Sequence, residues 1–282
     1  MFEKLQMAPA DPILGLTEAF RADSNPDKIN LGVGVFQDED GQTPTLEAVL
    51  SAEQRLLEES RPKTYLPISG LVEYGRAVRS LLFGVGHSLV DDGRAITMQA
   101  PGGTGALRLA GELMRLQLGG PRLWLSDPTW ANHAAIFRSA GIETVKYDYY
   151  DPASHGLNFE GMLNSLRQAQ PGEVVLLHGC CHNPTGVDPE GDQWGQLVAL
   201  VRERQLLPLI DFAYQGFGLG LEEDAAGLRR FVEAGCDLLV ASSFSKNFGL
   251  YNERVGGLTL VASDTEAASR AFSQLKICAR TN

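Results

Sequence analysis

The sequence has no long apolar run, no basic tract, no internal repeat or low-complexity stretch, and only four cysteines in 282 residues. No window approaches the ~20 apolar residues that a membrane-crossing helix needs. Residues 1–10 carry neither the apolar core of a secretory signal nor the Arg-rich amphipathic pattern of a transit peptide, so the cytoplasm is the expected compartment. The formal net charge of -11 argues against a nucleic-acid groove or an anionic membrane as main partner, because both select for clustered Lys and Arg. A small anionic substrate would instead need local arginines. Cys180 and Cys181 are adjacent, which does not suit an ordinary disulfide framework, and with Cys236 and Cys278 they read as reduced thiols. The string His178-Gly179-Cys180-Cys181-His182 crowds two imidazoles and two thiols together, but metal ligands are usually spaced as C-x-x-C or H-x-x-x-H so that they converge, and no metal is expected.

What is present is a large globular core's worth of apolar residues, 44% of the chain against 21% charged, arranged as strand-like runs alternating with helical periodicity. That alternation is the signature of an α/β layered fold. Strands are expected at 96–100, 123–126, 174–177, 207–210, 238–241 and 257–261. Leu46, Val49, Leu50, Leu56 and Leu57 give a first helix an apolar face. Ala106, Leu107, Ala110, Leu113 and Met114 give a helix after the first strand, and Trp194, Leu197, Val198 and Val201 another. Each strand but the last runs into a polar or glycine-rich patch, at 102–104, 127–130, 178–185, 211–214 and 242–246. Loops gathered at one edge of an open sheet make one composite site.

The chain has only six lysines, and Lys246 alone has a setting that suggests chemistry. It lies in Ser243-Phe244-Ser245-Lys246-Asn247-Phe248-Gly249, just past a run that reads as a buried strand, with Arg254 eight positions on. An amine that attacks a carbonyl works best when burial or a nearby cation lowers its pKa, and the anionic tail of a carbonyl cofactor needs hydroxyl and guanidinium donors. Lys246, Ser243, Ser245 and Arg254 supply both. Gly102-Gly103-Thr104-Gly105 can offer backbone N–H groups and a helix N-terminus to a phosphate. It does not complete a dinucleotide fingerprint, since Arg108 stands where the third glycine would be. Asp211 follows an apolar run, where a carboxylate is costly to bury without a cationic partner.

These residues resemble the pyridoxal-phosphate lysine segment of the aspartate and aromatic aminotransferase family, fold type I, and the likeness, closest to the bacterial aspartate type, extends from Ala10-Asp11-Pro12-Ile13-Leu14 to Arg280. The resemblance implies pyridoxal 5'-phosphate as cofactor and a homodimer with shared active sites. It assigns residues 1–43 to an N-terminal arm and the first part of a small domain, and 44–282 to a cofactor-binding large domain with a mostly parallel, mixed sheet flanked by helices. The family's chains run on to complete the small domain, so this chain reads as C-terminally truncated. The resemblance also implies roles. Lys246 forms the Schiff base and moves the substrate proton. Gly102, Gly103, Thr104, Ser243, Ser245 and Arg254 hold the phosphate, joined by Tyr65 from the neighbouring subunit. Trp130 stacks on the ring, Asp211 pairs with its nitrogen with His133 behind, and Tyr214 and Asn183 reach its phenolic oxygen. Gly34, Trp130 and Asn183 border the substrate. Arg280 reaches into the other subunit to pair with a distal carboxylate, in a bidentate geometry that lysine does not reproduce.

The reading that follows is a ping-pong transfer of the amino group of aspartate, or of an aromatic amino acid, to 2-oxoglutarate. Val35, Thr43 and Thr104 look aspartate-type, while Gln37 and Thr64 fit neither type. Two rivals stand beside it. One is a lyase or decarboxylase using the same cofactor, against which Arg280 speaks. The other is a non-catalytic fragment that binds cofactor or a partner chain only.

Overall fold

The run Val174-Val175-Leu176-Leu177 has no polar alternation, and all four side chains are buried. A strand with two apolar faces requires a packed layer on each side of its sheet. The computed structural model describes residues 1–7, 14–29 and 34–281, and it divides into two compact units, Met1–Thr45 and Leu46–Asn282. The first holds helix α1 (Leu14–Ala22) and a turn in which Asp38 Oδ1 accepts from the backbone N–H groups of Asp40 and Gln42. Residues 10–13, where the family likeness begins, and 30–33, which lead into Gly34, lie outside the described residues.

The second unit runs α2 (Glu47–Glu59), α3 (Val72–Phe83), β1 (Ala95–Pro101), α4 (Gly102–Gln117), β2 (Leu123–Asp127), α5 (Asn132–Ser139) and β3 (Thr144–Asp148). After a two-stranded ribbon of β4 (Tyr150–Asp151) and β5 (Gly156–Leu157) come α6 (Phe159–Leu166), β6 (Val174–His178), α7 (Gln193–Glu203), β7 (Leu207–Phe212), α8 (Ala226–Glu233), β8 (Leu238–Ser243), β9 (Val255–Val261) and α9 (Thr265–Arg280). Seven strands form one sheet in the order β1-β9-β8-β7-β6-β2-β3. β9 is antiparallel to both neighbours, and the pairs from β8 to β3 are parallel. Val174, Leu176 and Leu209 pack on one face with α4, α5 and α9. Val175, Leu177 and Ile210 pack on the other with α3, α6, α7 and α8. This is the mixed, mostly parallel α/β sheet expected from the sequence.

The periodic residues read for α4 and α7 are buried, from Ala106 to Met114 and from Trp194 to Val201. The leucine row of α2 behaves differently. Val49 is buried, but Leu46, Leu50, Leu56 and Leu57 remain exposed, because no element of the Leu46–Asn282 unit covers that face. The sequence reading missed β3, whose Thr144-Val145-Lys146 start alternates too weakly to announce a strand. Among the described residues no helix is long and apolar enough to cross a membrane.

Topology places the functional loops together. The parallel strands β2, β6, β7 and β8 end at one edge, and the antiparallel β9 begins there, with Gly256 opposite Ser243 on one side and Ala100 on the other. The chain therefore turns from β1 into the N-terminus of α4 at the edge where Lys246 and Arg254 emerge. That closeness depends on Gly256, whose Cβ, if present, would lie 2.5 Å from the Gly102 carbonyl carbon and 2.7 Å from the Ser242 carbonyl oxygen. Backbone cannot swing aside as a flexible side chain can. Gly256→Ala should therefore destabilise the fold by about 1–3 kcal/mol, read from the midpoint of chemical denaturation; an unchanged midpoint would show that the strands separate at no cost.

Candidate active site

A cavity of about 180 Å³ opens at this edge, lined by Gly103, Thr104, Trp130, Asn183, Asp211, Tyr214, Ser243, Ser245, Lys246 and Arg254, with His178, Cys180 and Tyr251 among the remaining walls. Helix α4 begins at Gly102, and its N-cap residue Pro101 makes no side-chain capping bond. Its first-turn N–H groups thus have no side chain competing for them. Gly102 is left-handed at φ +72, and a Cβ there would lie 2.7 Å from Arg254 Nη2. One at Gly103 would press to 3.0 Å from the Ser243 Cβ. Across from this turn, Arg254 Nη1 donates to Ser245 Oγ and to the Tyr251 carbonyl, both at 3.4 Å. Backbone amides, two hydroxyls and a guanidinium converge on a space that only glycine leaves open. The donor set fits a phosphate dianion.

Asp211 forms the floor. It stands opposite His178 in the parallel register of β6 and β7, and its Oδ2 lies 2.8 Å from His133 Nε2. The hydrogen bonds behind it have a single consistent direction. The Asn183 backbone N–H donates to His178 Nδ1 at 3.4 Å, so a neutral His178 carries its proton on Nε2. Nε2–H then donates to Thr129 Oγ1 at 3.3 Å. The Thr129 hydroxyl is left to donate to His133 Nδ1 at 2.8 Å, and His133 presents Nε2–H to the carboxylate. Burial pushes the Asp211 carboxyl up, but the hydrogen bond from His133 and attraction to the Lys246 amine help bring it below the ordinary carboxylate range. Asp211 is an anion at neutral pH in a place with little water.

Lys246 Nζ hangs 5.0 Å from the Tyr214 ring centroid and 6.0 Å from that of Trp130. Burial lowers its pKa, Asp211 opposes the shift and Arg254 adds to it. The amine is closer to its neutral, nucleophilic form than an exposed lysine would be. Asn183 Nδ2 donates to the Tyr214 hydroxyl at 3.4 Å, and burial raises the Tyr214 pKa, so the phenol keeps its proton. The Trp130 ring meets His133 edge-on at 5.2 Å, so the network that orients Asp211 also orients a ring in the cavity wall.

Two expected residues are not brought to this cavity. Tyr65 is fully exposed at 104% of its reference area. Arg280 lies exposed in the last turn of α9. Gly34, expected at the substrate, belongs to the other unit, Met1–Thr45. Conversely, Thr129 and His178 carry the Asp211 network and were not singled out for it. Their signal was available, since Thr129 is four residues before His133. The His-Gly-Cys-Cys-His string is tied up in hydrogen bonds and stacking instead: His182 stacks on Tyr149 at 3.9 Å, and its Nε2 and Nδ1 meet Ser126 Oγ and Thr185 Oγ1. Among the described residues no group of three or more His, Cys, Asp or Glu side chains could hold a metal ion.

A family model described as aminotransferase class I and II matches residues 26–282. The chain belongs to the class I and II aminotransferases. It is 57% identical over 282 residues to the aspartate aminotransferase of Escherichia coli K12, covering 100% of this chain and 71% of that one. It is 45% identical over 283 residues to the aromatic-amino-acid aminotransferase of the same organism, with the same shares covered. Among solved structures, the aromatic-amino-acid aminotransferase of Burkholderia pseudomallei, covalently bound to pyridoxal phosphate, superposes with a TM-score of 0.97 at 49% identity, over 100% of this chain and 71% of that one.

The buried imidazoles give this aminotransferase an acid sensitivity with a defined sign. Burial lowers the His178 pKa to about 4 and the His182 pKa to about 3. The unfolded chain, with ordinary histidines, takes up these protons first. Unfolding free energy should therefore fall as pH drops from about 6.5 toward 4, by at most about 1.4 kcal/mol per pH unit for each histidine. Urea titrations across this range check it, and His182→Gln should flatten the slope; an equally steep slope in the variant would assign the sensitivity elsewhere.

Proposed function

We propose that this aminotransferase carries pyridoxal 5'-phosphate on Lys246 and transfers the amino group of aspartate, or of an aromatic amino acid, to 2-oxoglutarate. The observation that carries the reading is the convergence of a lysine of lowered pKa, an ionised buried Asp211 and the Gly102–Arg254 anion cradle on one cavity. When bound, the cofactor supplies a ring that withdraws electrons and so stabilises negative charge at the substrate Cα.

The protein's own groups do the rest. The α4 N-terminus, Ser243, Ser245 and Arg254 would hold the phosphate. Asp211, kept anionic and oriented by His133, favours a protonated ring nitrogen, and an uncharged residue there would leave that nitrogen a poorer acceptor. Trp130 would stack against a bound ring, and Tyr214 and Asn183 would supply donors to its phenolic oxygen and so favour the anionic form. Lys246 would be the group that takes and returns the proton at the substrate Cα. Proton transfer at one face by a tethered amine needs only a short reach.

Several further assignments rest on the family likeness. We assign Tyr65 to the phosphate of a neighbouring subunit in a homodimer. Its full exposure supports that role. Arg280, also exposed, is assigned to the distal carboxylate of a dicarboxylic substrate bound by the other subunit, and Gly34 to the substrate's backbone neighbour. The 57% identity to an aspartate enzyme favours aspartate as donor, and the 45% identity to an aromatic one supports acceptance of aromatic amino acids.

Borohydride reduction of the cofactor-loaded protein followed by peptide mapping should place the pyridoxyl group on Lys246. Label on any other lysine would overturn the assignment. Asp211→Ala should retain the fold and lose about 3 kcal/mol of transition-state stabilisation, the scale of removing one preorganised electrostatic partner, read from kcat/KM in an aspartate/2-oxoglutarate assay.

A further inference from the structure

The loop that follows Tyr214 is organised around a second buried carboxylate that none of the roles above uses. Asp224, 7% exposed, accepts from four backbone N–H groups: Gly216 at 2.8 Å and Gly218 at 3.0 Å on Oδ2, Leu219 at 2.8 Å and Gly220 at 3.4 Å on Oδ1. The glycines make this possible. Gly216 is left-handed at φ +99, and a Cβ at Gly218 would lie 2.5 Å from Asp224 Oδ1. The residue between Tyr214 and this loop, Gln215, is 4% exposed and spends Nε2 on the Leu81 carbonyl at 2.8 Å and the Leu221 carbonyl at 2.9 Å. Its main chain has one further partner. Asn247 Nδ2 donates to the Gln215 carbonyl at 3.3 Å, and Asn247 directly follows Lys246 in a turn closed by Gly249 N–H to the Lys246 carbonyl at 3.0 Å.

Two neighbouring dipeptides, Tyr214-Gln215 and Lys246-Asn247, are thus joined by a hydrogen bond whose acceptor is held still by the Asp224 loop. We propose that Asp224 and Asn247 are positioning residues: the carboxylate freezes the 215–220 segment, and Asn247 carries that fixed frame to Lys246, setting its amine against Tyr214. The inference rests on Lys246 being the reacting amine. Burial alone would push the Asp224 carboxyl up, but the four amides more than offset it and leave it below the ordinary carboxylate range. The clamp stays charged throughout the neutral range.

The test reads the amine without cofactor. Competitive reductive methylation with formaldehyde and cyanoborohydride across pH 7–10, mapped by mass spectrometry, reports how much of Lys246 is deprotonated. The charges it faces, Asp211 and Arg254, and the Tyr214 phenol are left in place by both substitutions. In Asp224→Asn, one oxygen becomes an amide that meets N–H donors, so deuterium exchange at 216–220 should accelerate. With its frame loosened, Lys246 gains water and ordinary basicity, so its deprotonated fraction below the midpoint should fall about threefold. Asn247→Ala should produce the same fall without the exchange change, and the double variant should fall no further than either single one. Faster exchange with an unaltered Lys246 profile would reduce Asp224 to a loop brace and overturn the proposal, as would additive effects. If Asp224→Asn does not fold, an unaltered profile in Asn247→Ala is enough to overturn it. Because no cofactor is present, a failure here is distinct from pyridoxyl label missing from Lys246.

Discussion

A carboxylate kept ionised inside the protein is the constraint around which the rest of the site is arranged. Asp211 ends an apolar strand in the middle of a seven-stranded sheet, where an unpaired charge would be driven to take up a proton. It escapes that because His133 donates to it, and His133 can donate only because Thr129 and His178 settle which ring nitrogen carries hydrogen. The start of this ordering is a backbone N–H, that of Asn183, whose side chain also reaches Tyr214. One directed set of hydrogen bonds therefore fixes the charge at the cavity floor, the edge of Trp130 and a donor to Tyr214 together.

The opposite side of the cavity is built by the absence of side chains. Gly102, Gly103 and Gly256 let three chain segments, the β1–α4 turn, the end of β8 and the start of β9, approach until a single methyl group would collide. What this closeness achieves is electrostatic. The first-turn amides of α4 and the Arg254 guanidinium come within reach of one small anion, and Asp211 lines the same cavity. Asp211 and Arg254 act on the Lys246 pKa in opposite senses. Its reactivity is a balance of burial, attraction and repulsion rather than the property of a lysine in a motif.

Much of this was legible in the sequence because the signals were local. Continuous apolar runs named the buried strands, glycine turns named the anion cradle, and an isolated Asp after an apolar run named a carboxylate in need of a cation. The α2 leucines show where local pattern stops. Their spacing predicts an apolar helix face, and the helix forms, yet its leucines lie open within this unit because periodicity says which face is apolar and not what covers it. Tyr65 is similar: its full exposure agrees with a role toward another subunit, and nothing in its immediate sequence distinguishes it from an ordinary surface tyrosine.

The sequence by itself determined the layered α/β class through residue type and short-range spacing, and through its likeness to the family it implied the lysine and most of the groups expected around it. The tertiary structure decided which distant groups act on one another. That Thr129 orders His133, that His178 stands opposite Asp211, and that Asp224 holds the frame beside Lys246 follow from strand register and loop closure. These are long-range pairings, set by how buried faces pack against each other, and no short window of sequence contains both partners.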